Sequence, residues 1–269
     1  MNNYNGVEGI VDRLIPTDRS FNFTDAAEQI VVGDDGTASK GISRISSNGI
    51  ALPIDFADPT GSLTINSLGG NDGITILDLD GGAFGVIADG GAGDDTLMGS
   101  TENDTLTGGA GDDSLDGSGG TDVFRDDAVA GVQTLLAGSY DGNGNGNDTL
   151  VSIEQAELNG DSSNNQIDAS GFTDSVTLRG NGGDDTLIGT TSDDMLEGGA
   201  GDDSIRGEAG ADTIFGGADS DDVDGGANTD QVAGGTGDGA ADAGDVVTGL
   251  AEEIDEAFQL TVPNWVKES

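Results

Sequence analysis

The chain has 269 residues, of which 52 are Asp or Glu and only 8 are Lys or Arg, with no His, so its formal charge is −44. Such a field repels nucleic acid and anionic membrane surfaces, and no Lys/Arg cluster overrides it. With neither Cys nor His there is no disulfide, no thiolate or imidazole metal site, no HExxH motif and no triad base, which leaves carboxylate and carbonyl oxygen, the ligands of a hard cation, as the abundant chemistry.

Of the 52 acids 41 are Asp, and 49 residues are Gly, so turn formers dominate. Hydrophobic residues make up 33% and aromatics 4%, too few for a conventional core, yet they recur at regular intervals, unlike those of a disordered chain. No stretch approaches the roughly 18 apolar residues of a membrane span. The start, Met1-Asn-Asn-Tyr-Asn-Gly, lacks the basic and apolar regions of a signal peptide, so either export takes another route or the chain is a piece of something longer.

Residues 1–62 hold four of the eight basic residues (Arg13, Arg19, Lys40, Arg44) and β-type runs at Gln29-Ile-Val-Val32 and Ile50-Ala-Leu-Pro-Ile54, which predicts a β-rich N-terminal cap, with a small domain as the alternative. Over 63–89, Leu63-Thr-Ile65, Ile74-Thr-Ile76 and Val86-Ile-Ala88 read as strands of the first, degenerate coils, with Gly69-Gly-Asn-Asp72 a degenerate turn.

From Gly90 a nine-residue register runs through Gly99, Gly108 and Gly117 (90–125), then resumes at Gly180 through Gly189, Gly198, Gly207, Gly216 and Gly225 (within 180–249). All ten blocks carry Gly first, Asp sixth and an apolar residue eighth. The sixth positions are Asp95, Asp104, Asp113, Asp122, Asp185, Asp194, Asp203, Asp212, Asp221 and Asp230. The eighth are Leu97, Leu106, Leu115, Phe124, Leu187, Leu196, Ile205, Ile214, Val223 and Val232. The fourth position is Gly in six blocks; Glu102, Ser192, Asp219 and Asn228 depart from it, and those turns are expected to have a less glycine-like backbone or to bind more weakly.

Residues 126–179 interrupt the register. Asp141, Asn143, Asn145 and Gly146 match the start of an EF-hand loop, but its twelfth position is Ser152 where Glu is needed, so a flexible loop is the favoured reading. Nine-residue spacing at Leu158, Ile167 and Val176 predicts further coils without full calcium turns. After Val232 the pattern decays through Gly234–Gly239, and residues 250–269, with Trp265, read as a C-terminal cap or an export signal.

The repeat Gly90-Gly-Ala-Gly-Asp-Asp-Thr-Leu-Met98 and its successors resemble the RTX (repeats-in-toxin), or hemolysin-type calcium-binding, family, whose repeat is G-G-x-G-x-D-x-U-x. The resemblance implies an all-β fold, a right-handed parallel β-roll (β-solenoid) with two repeats per coil and Ca2+ between stacked turns. It also implies a secreted, extracellular or cell-surface bacterial protein exported by type I secretion.

Elementary geometry agrees. In a three-residue strand the middle residue faces opposite to its neighbours, so the eighth-position row points inward. Gly at the first, second and fourth positions admits positive φ and turns carbonyls toward one point. One turn cannot supply the six to eight oxygens calcium takes, so a second must stack on it two blocks later. The expected ligands are the ten Asp above with the backbone of Gly90, Gly91, Gly93, Gly108, Gly109, Gly111, Gly198, Gly199 and Gly201. Six sites follow, pairing Asp95 with Asp113, Asp104 with Asp122, Asp185 with Asp203, Asp194 with Asp212, Asp203 with Asp221 and Asp212 with Asp230. Six divalent ions leave a net −32. A row of carboxylates at strand spacing repels itself without such ions, which argues against merely solvated turns, and magnesium prefers a smaller octahedral shell.

The function expected is a secreted calcium-binding module that folds on meeting the ion, without enzymatic activity. The alternatives are a calcium-stiffened segment of a larger cell-surface protein, or an accessory module of a secreted polysaccharide- or lipid-acting enzyme. Besides calcium, the partners left open are a longer polypeptide, an extracellular protein or a glycan. Membrane insertion is not expected.

Overall fold

The computed structural model describes residues 11–12, 17–36, 41–49, 53–77, 79, 84–142, 145–233 and 246–248. Among them every regular element is a strand. They divide into two units, those within Met1–Asp126 and Gly138–Ala156 and those within Asp127–Ala137 and Glu157–Ser269.

Over residues 63–126 of the first unit successive strands alternate between two sheets, and each pairs in parallel with the strand one coil away. Leu97 lies opposite Leu115 in one sheet, and Leu106 opposite Ala88 and Phe124 in the other. That 18-residue register is a β-roll with two blocks per coil. Alternation along each short strand sends only its middle residue inward, so Leu97, Leu106, Leu115 and Phe124 are all at most 1% exposed, while Met98 beside them is 43% exposed. The second unit repeats the arrangement: Leu187 opposite Ile205, Ile205 opposite Val223, Leu196 opposite Ile214 and Ile214 opposite Val232, all buried. Its ladder reaches Val246–Thr248, where Val247 lies opposite Val223.

The roll begins earlier than the expected boundary at residue 62. Arg19–Asn22 pairs in parallel with Leu63–Asn66, and Gln29–Val32 with Gly73–Ile76, so residues 19–32 already form a coil. The antiparallel strands Ile42–Ser47 and Ile54–Ala57 extend that coil's sheet, and Phe56 packs on Phe21 at 5.1 Å between ring centroids. The three strands expected over 63–89 are present as Leu63–Asn66, Gly73–Ile76 and Val86–Ala92.

Within the interruption, Leu150 lies opposite Leu115 in parallel register. Asn147–Val151 is therefore a further strand of the first unit's roll, and it also pairs with Ser139–Asp141 in antiparallel register, so the expected loop is confined to the connection between these two strands. Asn143 and Gly144, which complete the Asn-Gly run, lie outside the described residues. In the second unit Gln166–Gly171 pairs with Thr186–Ile188 and with Val132–Leu136. Leu158, Ile167 and Val176 are all buried, but the nine-residue spacing does not hold to its end: Leu178 stands opposite Leu196, and Val176 takes the sixth position, its N–H donating to Asp194 Oδ1 at 2.8 Å. The decaying turn 234–239 and the C-terminal segment 250–269, with its capping or export reading, lie outside the described residues.

Candidate metal centre

All ten sixth-position Asp side chains are buried, none more than 4% exposed. Their first oxygen has one repeated task. Oδ1 of each accepts the backbone N–H of the sixth residue in the preceding coil, so the six pairs read from the sequence are six hydrogen bonds. Asp95 N–H donates to Asp113 at 2.7 Å, Asp104 to Asp122 at 2.7 Å and Asp185 to Asp203 at 2.8 Å. Asp194 donates to Asp212, Asp203 to Asp221 and Asp212 to Asp230, each at 2.9 Å.

The second oxygen separates the turns into two kinds. Oδ2 of Asp95, Asp113, Asp122, Asp185, Asp203 and Asp212 is buried without a hydrogen-bond partner. Such an atom costs about 1–3 kcal/mol, more when charged, unless something fills the place it faces. In the other kind, Oδ2 of Asp104 accepts the Ser100 N–H at 2.6 Å and its hydroxyl at 3.1 Å, and Oδ2 of Asp194 accepts the Thr190 N–H at 2.6 Å and its hydroxyl at 3.0 Å. Both belong to blocks with a hydroxyl residue second and no Gly fourth.

The glycines expected around these carboxylates serve two different purposes. Gly91, Gly109 and Gly199, second in their blocks, and Gly93, Gly111 and Gly201, fourth, all have positive φ. A Cβ on Gly109 would overlap the carbonyl oxygen of Gly91, and one on Gly111 that of Gly93, so the carbonyls of one turn face the next turn along the stack. First-position Gly90, Gly108 and Gly198 are not among the positive-φ residues. They are glycine for space, because a Cβ there would overlap Oδ2 of Asp95, Asp113 and Asp203 respectively. The fourth-position departures split as well. Asp219 (φ 79°) and Asn228 (φ 86°) keep the left-handed backbone, a conformation Asn and Asp tolerate, whereas Glu102 and Ser192 do not adopt it.

Burial is the largest cause that pushes Asp95 and Asp122 up to about 6, and Asp113, Asp203 and Asp212 up to about 7. The backbone N–H donors pull the other way, and neighbouring carboxylates add to the rise. Two unit charges at the roughly 4.8 Å strand spacing repel by about 3–4 kcal/mol at an effective dielectric constant near 20. Among the described residues no three Asp, Glu, His or Cys side chains converge on one point. Each turn thus offers one carboxylate and a cradle of carbonyls, a donor set of hard oxygen that fits Ca2+. Asn165 provides a natural contrast: it stands sixth in its block, its N–H donates to Asp185 Oδ1 at 2.7 Å, and its Nδ2 donates to the Ser163 carbonyl at 2.5 Å. Where the second atom is a donor, a carbonyl satisfies it.

The RTX calcium-binding nonapeptide repeat model matches residues 89–124, 179–214, 197–232 and 206–239. These stretches are RTX calcium-binding repeats. The chain therefore carries a calcium-binding β-roll module. No curated protein matches the chain.

Several residues of the RTX stacks escaped the repeat pattern. Asp148 is sixth in a block with Leu150 eighth; its Oδ1 accepts the Asp113 N–H at 3.0 Å, and burial pushes it to about 7. Glu154 takes the same place over Asp122, accepting its N–H at 2.9 Å. The two-residue spacing from Asp148 to Leu150 was the available signal; for Glu154 there was none. The fifth positions form a second ladder. Asp94 Oδ1 accepts the Asp112 N–H, Asn103 that of Thr121, Asp112 that of Asn147, and Asp184 that of Asp202. Thr121 and Ala211, by contrast, stand fifth in blocks where no such acceptor role is seen.

Proposed function

We propose that this module is a secreted, non-enzymatic calcium-binding roll that is largely unfolded without the ion and folds on meeting it outside the cell. The observation that carries the reading is the set of buried carboxylate oxygens without a partner, stacked one coil apart. Unfolded, the carboxylates are solvated and no site exists. Folded without a cation, they must either repel one another or take up protons. Metal-binding free energy is then folding free energy. At the roughly 10⁻⁴ to 10⁻³ M affinities of extracellular calcium modules, the chain would stay open inside a cell and close outside it. The RTX match supports a secreted, bacterial setting.

In this reading the turns of Asp95, Asp113, Asp185 and Asp203 take calcium through their open oxygens. Asp104 and Asp194 are closed by Ser100 and Thr190 and need none, so the pairs Asp104/Asp122 and Asp194/Asp212 hold calcium weakly or not at all. Isothermal calorimetry on chelator-treated protein tests the reading. Calcium is expected to bind with the heat of a folding transition and magnesium to fail at the same concentration; binding without any structural change would overturn it.

A further inference from the structure

The stack of open carboxylates does not begin where the RTX match begins. One coil before Asp95, the turn Ser67-Leu-Gly-Gly-Asn-Asp72 has positive φ at its second and fourth residues, Leu68 (74°) and Gly70 (112°), as the turn from Gly90 has at Gly91 and Gly93. Asp72 is 2% exposed and its Oδ2 has no partner. Its N–H donates to Asp95 Oδ1 at 2.7 Å, the same bond at the same length as from Asp95 to Asp113. The carbonyls match too. A Cβ on Gly91 would overlap the Leu68 oxygen and one on Gly93 the Gly70 oxygen, just as Gly109 and Gly111 meet the oxygens of Gly91 and Gly93. Leu68 and Gly70 thus present their carbonyls to the turn that carries Asp95.

We propose that a further calcium ion binds between the turns ending at Asp72 and Asp95, held by these two carboxylates and the carbonyl of Gly70, the Leu68 carbonyl being taken by the Ala92 N–H at 2.9 Å. The inference rests on the calcium reading of the RTX turns. The sequence pattern hides the site because Ser67 and Leu68 stand where the repeat has Gly-Gly. Leu68 adopts the left-handed backbone regardless. Ser67 is buried and its hydroxyl donates to the Gly90 carbonyl at 2.7 Å, so at the first position a serine hydroxyl bonds the carbonyl of the following coil. That contact occupies one oxygen near the site, which makes this ion weaker than the one between Asp95 and Asp113. The series ends one coil further on. Asp72 Oδ1 accepts the Glu28 N–H at 2.6 Å, but the turn before Glu28 contains no glycine.

The test is a count of bound calcium by native mass spectrometry and equilibrium dialysis on the full chain. Wild type and Asp72→Asn are compared, with circular dichroism at saturating calcium as the check on folding. Asp72→Asn is expected to keep its β signal and to bind one ion fewer; an unchanged count overturns the proposal. Should Asp72→Asn lose its β signal, Ser67→Gly decides. It keeps both carboxylates and frees the Gly90 carbonyl, so the weakest step of the calcium titration is expected to tighten several-fold, and an unmoved titration contradicts the site. A wild-type chain that binds no calcium at all would instead sink the reading of the RTX turns as a whole.

Discussion

Thr190 closes its own turn onto Asp194, with its amide 2.6 Å from Oδ2 and its hydroxyl 3.1 Å and 3.0 Å from the two carboxylate oxygens. Ninety residues earlier Ser100 does the same for Asp104. In both units the self-closed turn lies on one edge of the roll, and the open turns of Asp95 and Asp185 precede it by one block. One coil further on the same edge, Oδ2 of Asp122 and of Asp212 is open again, so what completes a carboxylate's coordination, a hydroxyl or an ion, is set turn by turn.

Removing the hydroxyl should separate these roles. Thr190→Ala is expected to lower stability by about 1–2 kcal/mol, the worth of a hydrogen bond to a charged group, and to leave the number of bound calcium ions unchanged. Asp203→Asn is expected to lower that number and to raise the calcium concentration at the folding midpoint several-fold. Calcium titration followed by circular dichroism, with ion counting, distinguishes the two variants.

Acid should stabilise the roll when calcium is absent. Burial raises Asp113, Asp203 and Asp212 to about 7 from an unfolded value near 3.8, so between those limits the folded chain binds more protons than the unfolded one. Stability from this source is fully present below about pH 4 and is lost as pH rises through 7. In chelator, β structure is expected to increase as pH falls from 7.5 to 5. With calcium present the same protons compete with the ion, and the apparent calcium affinity falls over the same interval.

The core is one residue wide, and each member of the row matters accordingly. Leu196 is fully buried, opposite both Leu178 and Ile214. Leu196→Ala is expected to cost about 2–5 kcal/mol, read as a raised calcium midpoint and a lower melting temperature at fixed calcium. Met195→Ala next to it, with Met195 43% exposed, should change neither measurably.

Substitution at the second-position glycines should act on the backbone and on the cradle together. Gly199 has φ 117°, and a Cβ there would overlap the Asn181 carbonyl oxygen of the coil before. Gly199→Ala is expected to block calcium-induced folding at concentrations that fold the wild type. Glu208, which already adopts φ 74° second in its block, is expected to gain stability on replacement by Gly, by a fraction of a kcal/mol to about 1 kcal/mol. Thermal melts at saturating calcium measure both.

The legible part of this molecule was its register. Ten Asp and ten apolar residues at fixed places in a nine-residue repeat gave the parallel ladder, the inward row and the pairing of Asp95 with Asp113, because each column has a single physical task. What stayed hidden were positions where a different residue performs that task. Leu68 takes up a backbone conformation that the pattern assigns to glycine, Glu154 reaches the amide of Asp122 from outside the register, and the coil at residues 19–32 carries Glu28 with no glycine in its turn. The purpose of the first glycine was also misjudged. Gly90 makes room for Asp95 and does not supply positive φ, a distinction that only the stacking of the coils reveals. The mixed fifth column resolves in the same way, since Asp94, Asn103 and Asp184 all accept an amide proton from the next coil.

In the proposed function calcium binding and folding are one equilibrium. Circular dichroism of chelator-treated protein at neutral pH, titrated with calcium, tests it most directly. The account predicts a disordered spectrum that converts cooperatively to β structure on calcium addition and reverts with chelator. A full β spectrum in chelator at neutral pH, unchanged by calcium, would contradict it.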